Sequence, residues 1–402
     1  MATTFRDSIA LWGRRHVIGH LPPRLRRALL GRIPLLDART QWWQAKNPYR
    51  DEPPYSTYES PYPVTLGIVP EFWHRHQSYI AACKDLRVSY RLVNLLTPNW
   101  VAELRRSGCH TLMTWPSVQV GIWKALFDER LKVAQQVFGM KLHPQYDALW
   151  LYESKRRMAY WLQAHGIPHA MTWIFYDQGD ARAFARDCAL PIVFKTDRGA
   201  RASGVHIIRN RDDLVRLIDR VFRKGILHGD GEARDYEWGS VILQRYIPDA
   251  REWRVIRIGE SYFAHQKLKS GEYHSGSDMV GWTTPSNRLL DFVREVTEID
   301  SFESIDIDIF EDQNGSFLVN ELQALFGAFR EYQMLVDGKP GRYLWSPRKK
   351  MWTFEEGFFC HNACCNLRVA HVMKQDGYDV ELPTMRGQVS DMDRISQSNC
   401  PT

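Results

Sequence analysis

The most constraining stretch of this chain is SIDIDIFEDQNGSFLVNELQALFG, residues 304–327. Ile305, Ile307, Ile309 and Phe310 pattern as a buried strand, and Phe317, Leu318 and Val319 as a second strand after an Asn-Gly turn. Yet Asp306, Asp308, Glu321 and Gln323 lie on or beside those strands. Carboxylates are costly to bury unless something positive pairs with them. The ribbon must therefore hold a cation. Two paired strands would bring Asp308 and Glu321 side by side, and Glu321 and Gln323, two positions apart, face the same way. Three oxygen ligands on one surface suit Mg²⁺, which leaves room for phosphates. An acidic face in water is the other reading, but Leu318, Val319 and Leu322 interleave with the acids too closely for it.

Upstream, residues 61–150 alternate strand and helix. VTLGIVP, VSYRLVNLL and TLMTWP pattern as strands, and HRHQSYIAACKDL and NWVAELRRSG as helices. That alternation predicts a parallel sheet with helices on its faces. No Gly-x-Gly-x-x-Gly turn is present there, so no dinucleotide is expected. Residues 153–175 give a helix stopped by Gly166 and Pro168 and then a strand. Residues 180–210 give a helix, a strand ending in Lys195, a loop of small residues and another strand. SVILQRYIP, EWRVIRIG and SYFAHQKLKS are further strands. In residues 330–402 a single helix is expected, from about Glu355 to Val372, within a helical tail over 346–402.

Two stretches carry further chemistry. In FKTDRGARASGVHII, Lys195 ends a strand, and Gly199, Ala200, Ala202, Ser203 and Gly204 follow. Small side chains let backbone N–H groups approach phosphate oxygens, and a lysine adds a point charge. A loop between two strands makes a flap rather than a helix-opening phosphate loop; a purely structural hairpin fits the same residues. In LQRYIPDAREWRV, the Arg245 carbonyl and the Ile247 N–H would read an adenine edge, and Glu252 would accept from ribose hydroxyls. A solvated turn is the alternative there.

The order Lys155, Lys195 with its small-residue loop, QRYI with Glu252, then Asp308, Glu321 and Gln323 resembles the ATP-grasp superfamily. Within it, the chain looks most like carboxylate–amine ligases such as D-alanine–D-alanine ligases and ribosomal-protein glutamate ligases. The resemblance covers about residues 64–330. It implies an α/β chain in which two α+β subdomains clasp ATP, 151–250 with the phosphate flap and 251–345 with the metal, behind a parallel α/β domain at 61–150. It further implies that Lys155 and Lys195 hold ATP phosphates, with Gly199, Ser203 and Gly204 in the flap. Gln244 stands where a Glu often meets the adenine amino group. Arg245 and Ile247 match the backbone readers and Glu252 the ribose carboxylate, while Asp308, Glu321 and Gln323 match the magnesium ligands. Lys267, Lys269 and His274 fall where glutamate ligases place basic residues near phosphate and acceptor. Two positions depart from the pattern. Gln323 replaces the usual Asn. Asp306 stands where D-alanine–D-alanine ligases carry an oxyanion-stabilising Arg, so that role would pass to Arg254 or Lys267. The implied reaction is amide formation through an acyl phosphate. A nucleotide-binding scaffold, or phosphotransfer to a hydroxyl, would use the same fold.

Charge helps with partners. The formal net charge is +6, and residues 1–40 hold eight arginines against Asp7 and Asp37, which is 8 − 2 = +6. The remaining body is close to neutral, which speaks against nucleic acid. Arginines mixed with Leu, Ile and Trp in residues 1–60 fit a helix pair on anionic lipid, or an ordinary helical extension with its Arg face in water. The expectation is a cytosolic protein, with a glycan or peptide precursor of the cell envelope among its candidate substrates and residues 1–40 as the candidate contact with the inner membrane. No run approaches the roughly 18 apolar residues of a membrane span. In CHNACC, Cys360, His361 and Cys364 would share one helix face as a conceivable zinc site, although buried small hydrophobes explain them better. Trp42, Trp43 and Trp73 are read as core or interface rather than sugar platforms, and SPRKKMW (346–352) as an exposed basic loop rather than a contact for an acidic acceptor.

Overall fold

The computed structural model describes residues 52–199, 202–228, 235–269, 271–272, 279–326 and 333–383. The expected N-terminal helix pair falls almost wholly outside them, as does the end of the tail. Three sheets follow one another along the chain. The first contains β1 (Thr65–Ile68), β2 (Ser89–Leu92), β3 (Thr111–Met113) and β4 (Lys141–His143) in the order β2-β1-β3-β4, all parallel. Its crossovers are α1 (Gln77–Asp85), α2 (Trp100–Ser107) and α3 (Gly121–Gln136). Gly108 closes α2 at φ 65°, the left-handed position expected of a helix-ending glycine. Two helices, α4 (Tyr146–Leu151) and α5 (Lys155–Ala164), lead onward.

The second sheet is antiparallel. It contains β5 (Thr172–Phe175), β6 (Ile192–Lys195), β7 (Val205–Ile208) and, after the two-residue strands β8 (Ile226–Leu227) and β9 (Tyr236–Glu237), β10 (Val241–Arg245). The order is β5-β10-β6-β7. Helices α6 (Gln178–Asp187) and α7 (Arg211–Lys224) cover it. Helix α7 buries Leu214, Ile218 and Val221, one apolar stripe on an otherwise charged helix. Asn210 caps it by accepting from the Asp213 N–H, worth about 1 kcal/mol. This sheet and its helices pack a core of their own, separate from that of the rest of the chain.

The third sheet runs β15-β14-β11-β12-β17-β16. Its strands are β11 (Arg251–Ile258), β12 (Ser261–Lys267), β13 (Val280–Gly281), β14 (Ser304–Glu311), β15 (Phe317–Gln323), β16 (Leu335–Val336), β17 (Lys339–Ser346) and β18 (Met351–Glu356). Strand β13 pairs with β12, and β18 with β17. Helix α8 (Asn287–Glu298) buries Leu289, Leu290, Val293 and Val296.

The C-terminal expectation needs correcting. Residues 346–356 are not the start of a helical tail: β17 and β18 form a hairpin joined to the third sheet. The helix, α9 (Cys365–Gln375), begins ten residues later than expected. Asn362, Ala363 and Cys364 adopt φ of 49°, 55° and 64°. A right-handed helix cannot pass through such residues, so CHNACC offers no shared helix face for Cys360, His361 and Cys364. Those cysteines are free and buried. The propensity of GFFCHNACCNLR for helix was misleading because Asn362 and Asn366 both donate to Asp85, at 2.7 and 3.0 Å, and hold the turn in place.

Candidate active site

The second and third sheets face each other across a cleft of about 810 Å³, including its part open to solvent. Lys155, Val193, Lys195, Gly199 and Ile207 line one wall, and Glu252, Phe310, Asn320 and Glu321 the other. Gln244, Arg245, Tyr246 and Ile247 form the connection between the walls, with Lys269 at the rim. Strand geometry explains the placement. Lys195 ends β6, in the centre of a sheet whose neighbours are buried apolar residues, so its side chain is aimed inward. Lys155 sits in the first turn of α5, which Ser154 caps.

The acidic ribbon is the other half. Strand β14 is buried from Ser304 to Ile309, and Asp306 and Asp308 share a face. Asp308 lies opposite Glu321, and Asp306 opposite Gln323. The ladder shifts between Asp308 and Ile309, where β15 carries one extra residue, Asn320. Asn320 was not anticipated from sequence. It accepts from Lys195 Nζ at 2.8 Å and donates to Glu252 at 3.4 Å. The only sequence signal for it is a polar residue beside Glu321 in an otherwise apolar strand.

Four acids and four cations meet at this place. Arg254 donates to both oxygens of Asp308, at 3.0 and 3.1 Å. Lys267 bridges Asp308 and Glu252, 2.7 Å from each. Lys155 lies 3.7 Å from Glu321 and donates to the Gly199 carbonyl at 2.8 Å. Arg254 Nε is also 3.0 Å from Asp306 Oδ2, but its N–H points at Asp308, and neither Asp306 oxygen has an aligned donor among the described residues. Burial, with Asp308 adding, pushes the Asp306 carboxyl up to about 8 despite Arg254. Burial would raise Asp308 too, but Arg254 and Lys267 together hold it far below the carboxylate range. Glu321 is likewise lowered, as Lys155 and Lys195 outweigh burial. Burial brings Lys195 down to about 8, with Lys155 assisting and Glu321 opposing.

Several expected residues sit differently from their expected roles. Arg254 and Lys267 do not project into the cleft; they are engaged with Asp308. Gln323 accepts from the Glu153 N–H at 3.1 Å and turns its amide nitrogen toward Glu321 at 3.5 Å. Its oxygen would have to rotate to join a metal. Gln244 is buried and donates to Thr172 Oγ1 at 3.1 Å. Gly204 forms the stem of the flap: Thr196 N–H donates to its carbonyl at 2.9 Å, and a Cβ there would stand 1.8 Å from Thr196 Oγ1. Ser203 lies in the same turn, outside the cleft lining. His274 lies outside the described residues. No three His, Cys, Asp or Glu side chains among the described residues are arranged to hold a metal. Two carboxylates and an amide suit only a hard cation that takes its remaining ligands from phosphate and water, which is the magnesium pattern.

Comparison with known proteins bears on the fold. No family model matches the chain. One curated relative, the 2-oxoglutarate carboxylase small subunit of Hydrogenobacter thermophilus, is 22% identical over 121 residues, 30% of this chain. The match spans about a quarter of that relative's length, 24%. Among solved structures, the chain is similar to a carboxyaminoimidazole ribonucleotide synthase from Aspergillus clavatus complexed with ATP. The TM-score is 0.50 at 10% identity, covering 80% of this chain and 78% of that one. A RimK domain protein ATP-grasp from Sphaerobacter thermophilus superposes with a TM-score of 0.44 at 13% identity, covering 64% and 90% of the two chains. The Aspergillus likeness concerns the fold: a clasp of two sheets behind a parallel α/β unit.

Proposed function

We propose that this chain of ATP-grasp fold is an ATP-dependent ligase joining a carboxylate to an amine, with release of ADP. One observation carries the reading: two buried lysines, Lys155 and Lys195, share a single cleft with Glu321, whose ladder partner is Asp308. Adenine would lie against Gln244–Ile247, with the Arg245 carbonyl and the Ile247 N–H toward its edge and Glu252 toward ribose. Lys155 and Lys195 hold phosphate oxygens. Asp308, Glu321 and a rotated Gln323 would hold magnesium, which neutralises charge on the transferred phosphoryl group.

The substrate carboxylate oxygen attacks the γ-phosphorus, and the bond to ADP breaks. The amine nitrogen then attacks the acyl carbon, the bond to phosphate breaks, and the amine loses a proton to solvent. The flap over residues 196–204 shields the acyl phosphate from water. To support the oxyanion, Arg254 or Lys267 would have to turn from Asp308 toward the cleft; Lys269 at the rim and His274 are the further basic candidates.

The test is ADP release across a panel of carboxylates and amines, with hydroxylamine present to trap an acyl phosphate as a hydroxamate. Bicarbonate belongs in the panel because the curated relative is named a carboxylase. Hydroxamate formation supports the reading; ADP release without hydroxamate points to phosphotransfer to a hydroxyl. Nucleotide binding without turnover would support a scaffold, a reading favoured by the way Arg254 and Lys267 already neutralise Asp308. The finer proposal, a cell-envelope substrate handled in the cytoplasm beside the inner membrane, rests on the basic residues 1–40. Deleting them should abolish sedimentation with anionic liposomes and leave ATP turnover intact.

A further inference from the structure

In an open parallel sheet, ligands bind outside the carboxyl ends of the strands where the strand order reverses. In the order β2-β1-β3-β4 that point lies between β1 and β3. The two loops that leave it, residues 69–76 after β1 and 114–120 after β3, are tied together. The buried Glu71 carboxylate accepts from the Trp73 N–H at 2.8 Å, from the Arg75 N–H and from the Ser117 hydroxyl. The carboxylate is thus committed to tying the two loops together.

On this frame stands Arg75. Its guanidinium lies over the Trp73 ring at 5.4 Å and the Trp115 ring at 5.8 Å. Trp73 is itself fixed edge-on against Trp123, whose ring stacks on Phe72 at 4.2 Å. Arg75 makes no ion pair, and its guanidinium has no hydrogen-bond acceptor among the described residues. Trp115 carries a second guanidinium, Arg368, 5.4 Å away. Arg368 is fully buried; it donates to Ser304 and to the Ala363 carbonyl, and its Nη2 has no partner among the described residues. Two arginines therefore share one indole with no carboxylate paired to either among the described residues. A guanidinium held against aromatic rings can keep N–H groups available, and their fork matches a planar or tetrahedral oxyanion.

We propose that Arg75, walled by Trp73 and Trp115, is the anchor of a binding site for an oxyanion, a carboxylate or phosphate group borne by a small-molecule substrate. Resting on the ligase reading, it gives the substrate class: a molecule with an anionic group remote from the atoms that react. The geometry suits this, because Tyr152, near Arg75, precedes Glu153, whose N–H donates to Gln323 on the metal strand. The anion would be gripped at the mouth of the first sheet while the reacting end reaches the cleft.

The experiment uses the full chain and two probes, succinate and inorganic phosphate, titrated calorimetrically, with ADP affinity measured in parallel. Arg75→Ala is expected to weaken the better probe at least tenfold and leave ADP affinity within twofold. Lys195→Ala should do the reverse, which separates this site from phosphate in the nucleotide cleft. Arg75→Lys keeps a cation on the rings but lacks the fork; it should retain part of phosphate binding and lose most of succinate binding. Which probe binds better tells carboxylate from phosphate. If the native chain binds neither probe, or Arg75→Lys and a folded Arg75→Ala bind both as the native chain does, the proposal is overturned. Arg75-dependent binding in a chain with no affinity for ADP would uphold this site and sink the ligase reading alone.

Discussion

Replacing Asp308 by alanine asks whether the buried charges are balanced internally. The carboxylate is 2% exposed and receives three N–H donors, two from Arg254 and one from Lys267. Deleting one partner of a buried pair costs about 3–5 kcal/mol, because the other charge stays buried without compensation. Here both cations keep a second acid: Arg254 has Asp306 at 3.0 Å, and Lys267 has Glu252 at 2.7 Å. Arg254 also keeps 26% of its side chain exposed, so water screens its share. The loss should fall at the low end, about 3 kcal/mol, out of a whole stability of about 5–15 kcal/mol. Urea unfolding followed by circular dichroism reads it. The double variant Asp308→Ala with Lys267→Met should be less stable than Asp308→Ala alone, since Lys267 is the cation paired with Glu252 and its removal leaves that buried carboxylate uncompensated. A single-variant loss below about 1 kcal/mol, or a double variant as stable as the single, would refute the reasoning.

Three further outcomes follow from the same geometry. Lys195→Met removes a charged donor from the cleft and should weaken ATP binding about 10–100-fold by calorimetry, in line with the 1.5–3 kcal/mol of a charged hydrogen bond. Lys195 and Lys124 both have native pKa values lowered from 10.5 to about 8, chiefly by burial. The unfolded chain then binds more protons between pH 8 and 10.5. These lysines make stability rise with pH across that window, by up to about 1.4 kcal/mol per unit each, and Lys195→Met should reduce the slope seen in pH-dependent melts. Gly204→Ala would drive its Cβ into Thr196 Oγ1 and cost about 1–3 kcal/mol of overpacking. Faster hydrogen exchange at the Thr196 N–H should report the opened flap stem, with partial recovery when Thr196→Ala is added.

The expectations that succeeded were local ones. The parallel order of the first unit, Lys195 at a strand end and the Asn-Gly hairpin all rest on patterns within a dozen residues. Those that failed depended on distant partners. The start of α9 was misplaced because Asp85, far away in sequence, accepts from Asn362 in the left-handed turn and from Asn366 in the first turn of the helix. Strands β17 and β18 were missed because β12 supplies their edge. That Arg254 and Lys267 both meet Asp308 likewise depends on a neighbour relation no single strand records: β11 lies between β14 and β12.

The acidic ribbon divides the same way. Sequence alone determined that Asp306 and Asp308 share a face and that this face is embedded in apolar strand, because side-chain alternation is a property of one strand. Tertiary structure decided what stands opposite. Continued from Glu311–Phe317, the register would have placed Asn320 across from Asp308; the bulge sets Glu321 there and turns Asn320 to Lys195. A bulge is settled by the fit of one strand to its neighbours and by the charges on the facing sheet, and neither is written in the strand itself.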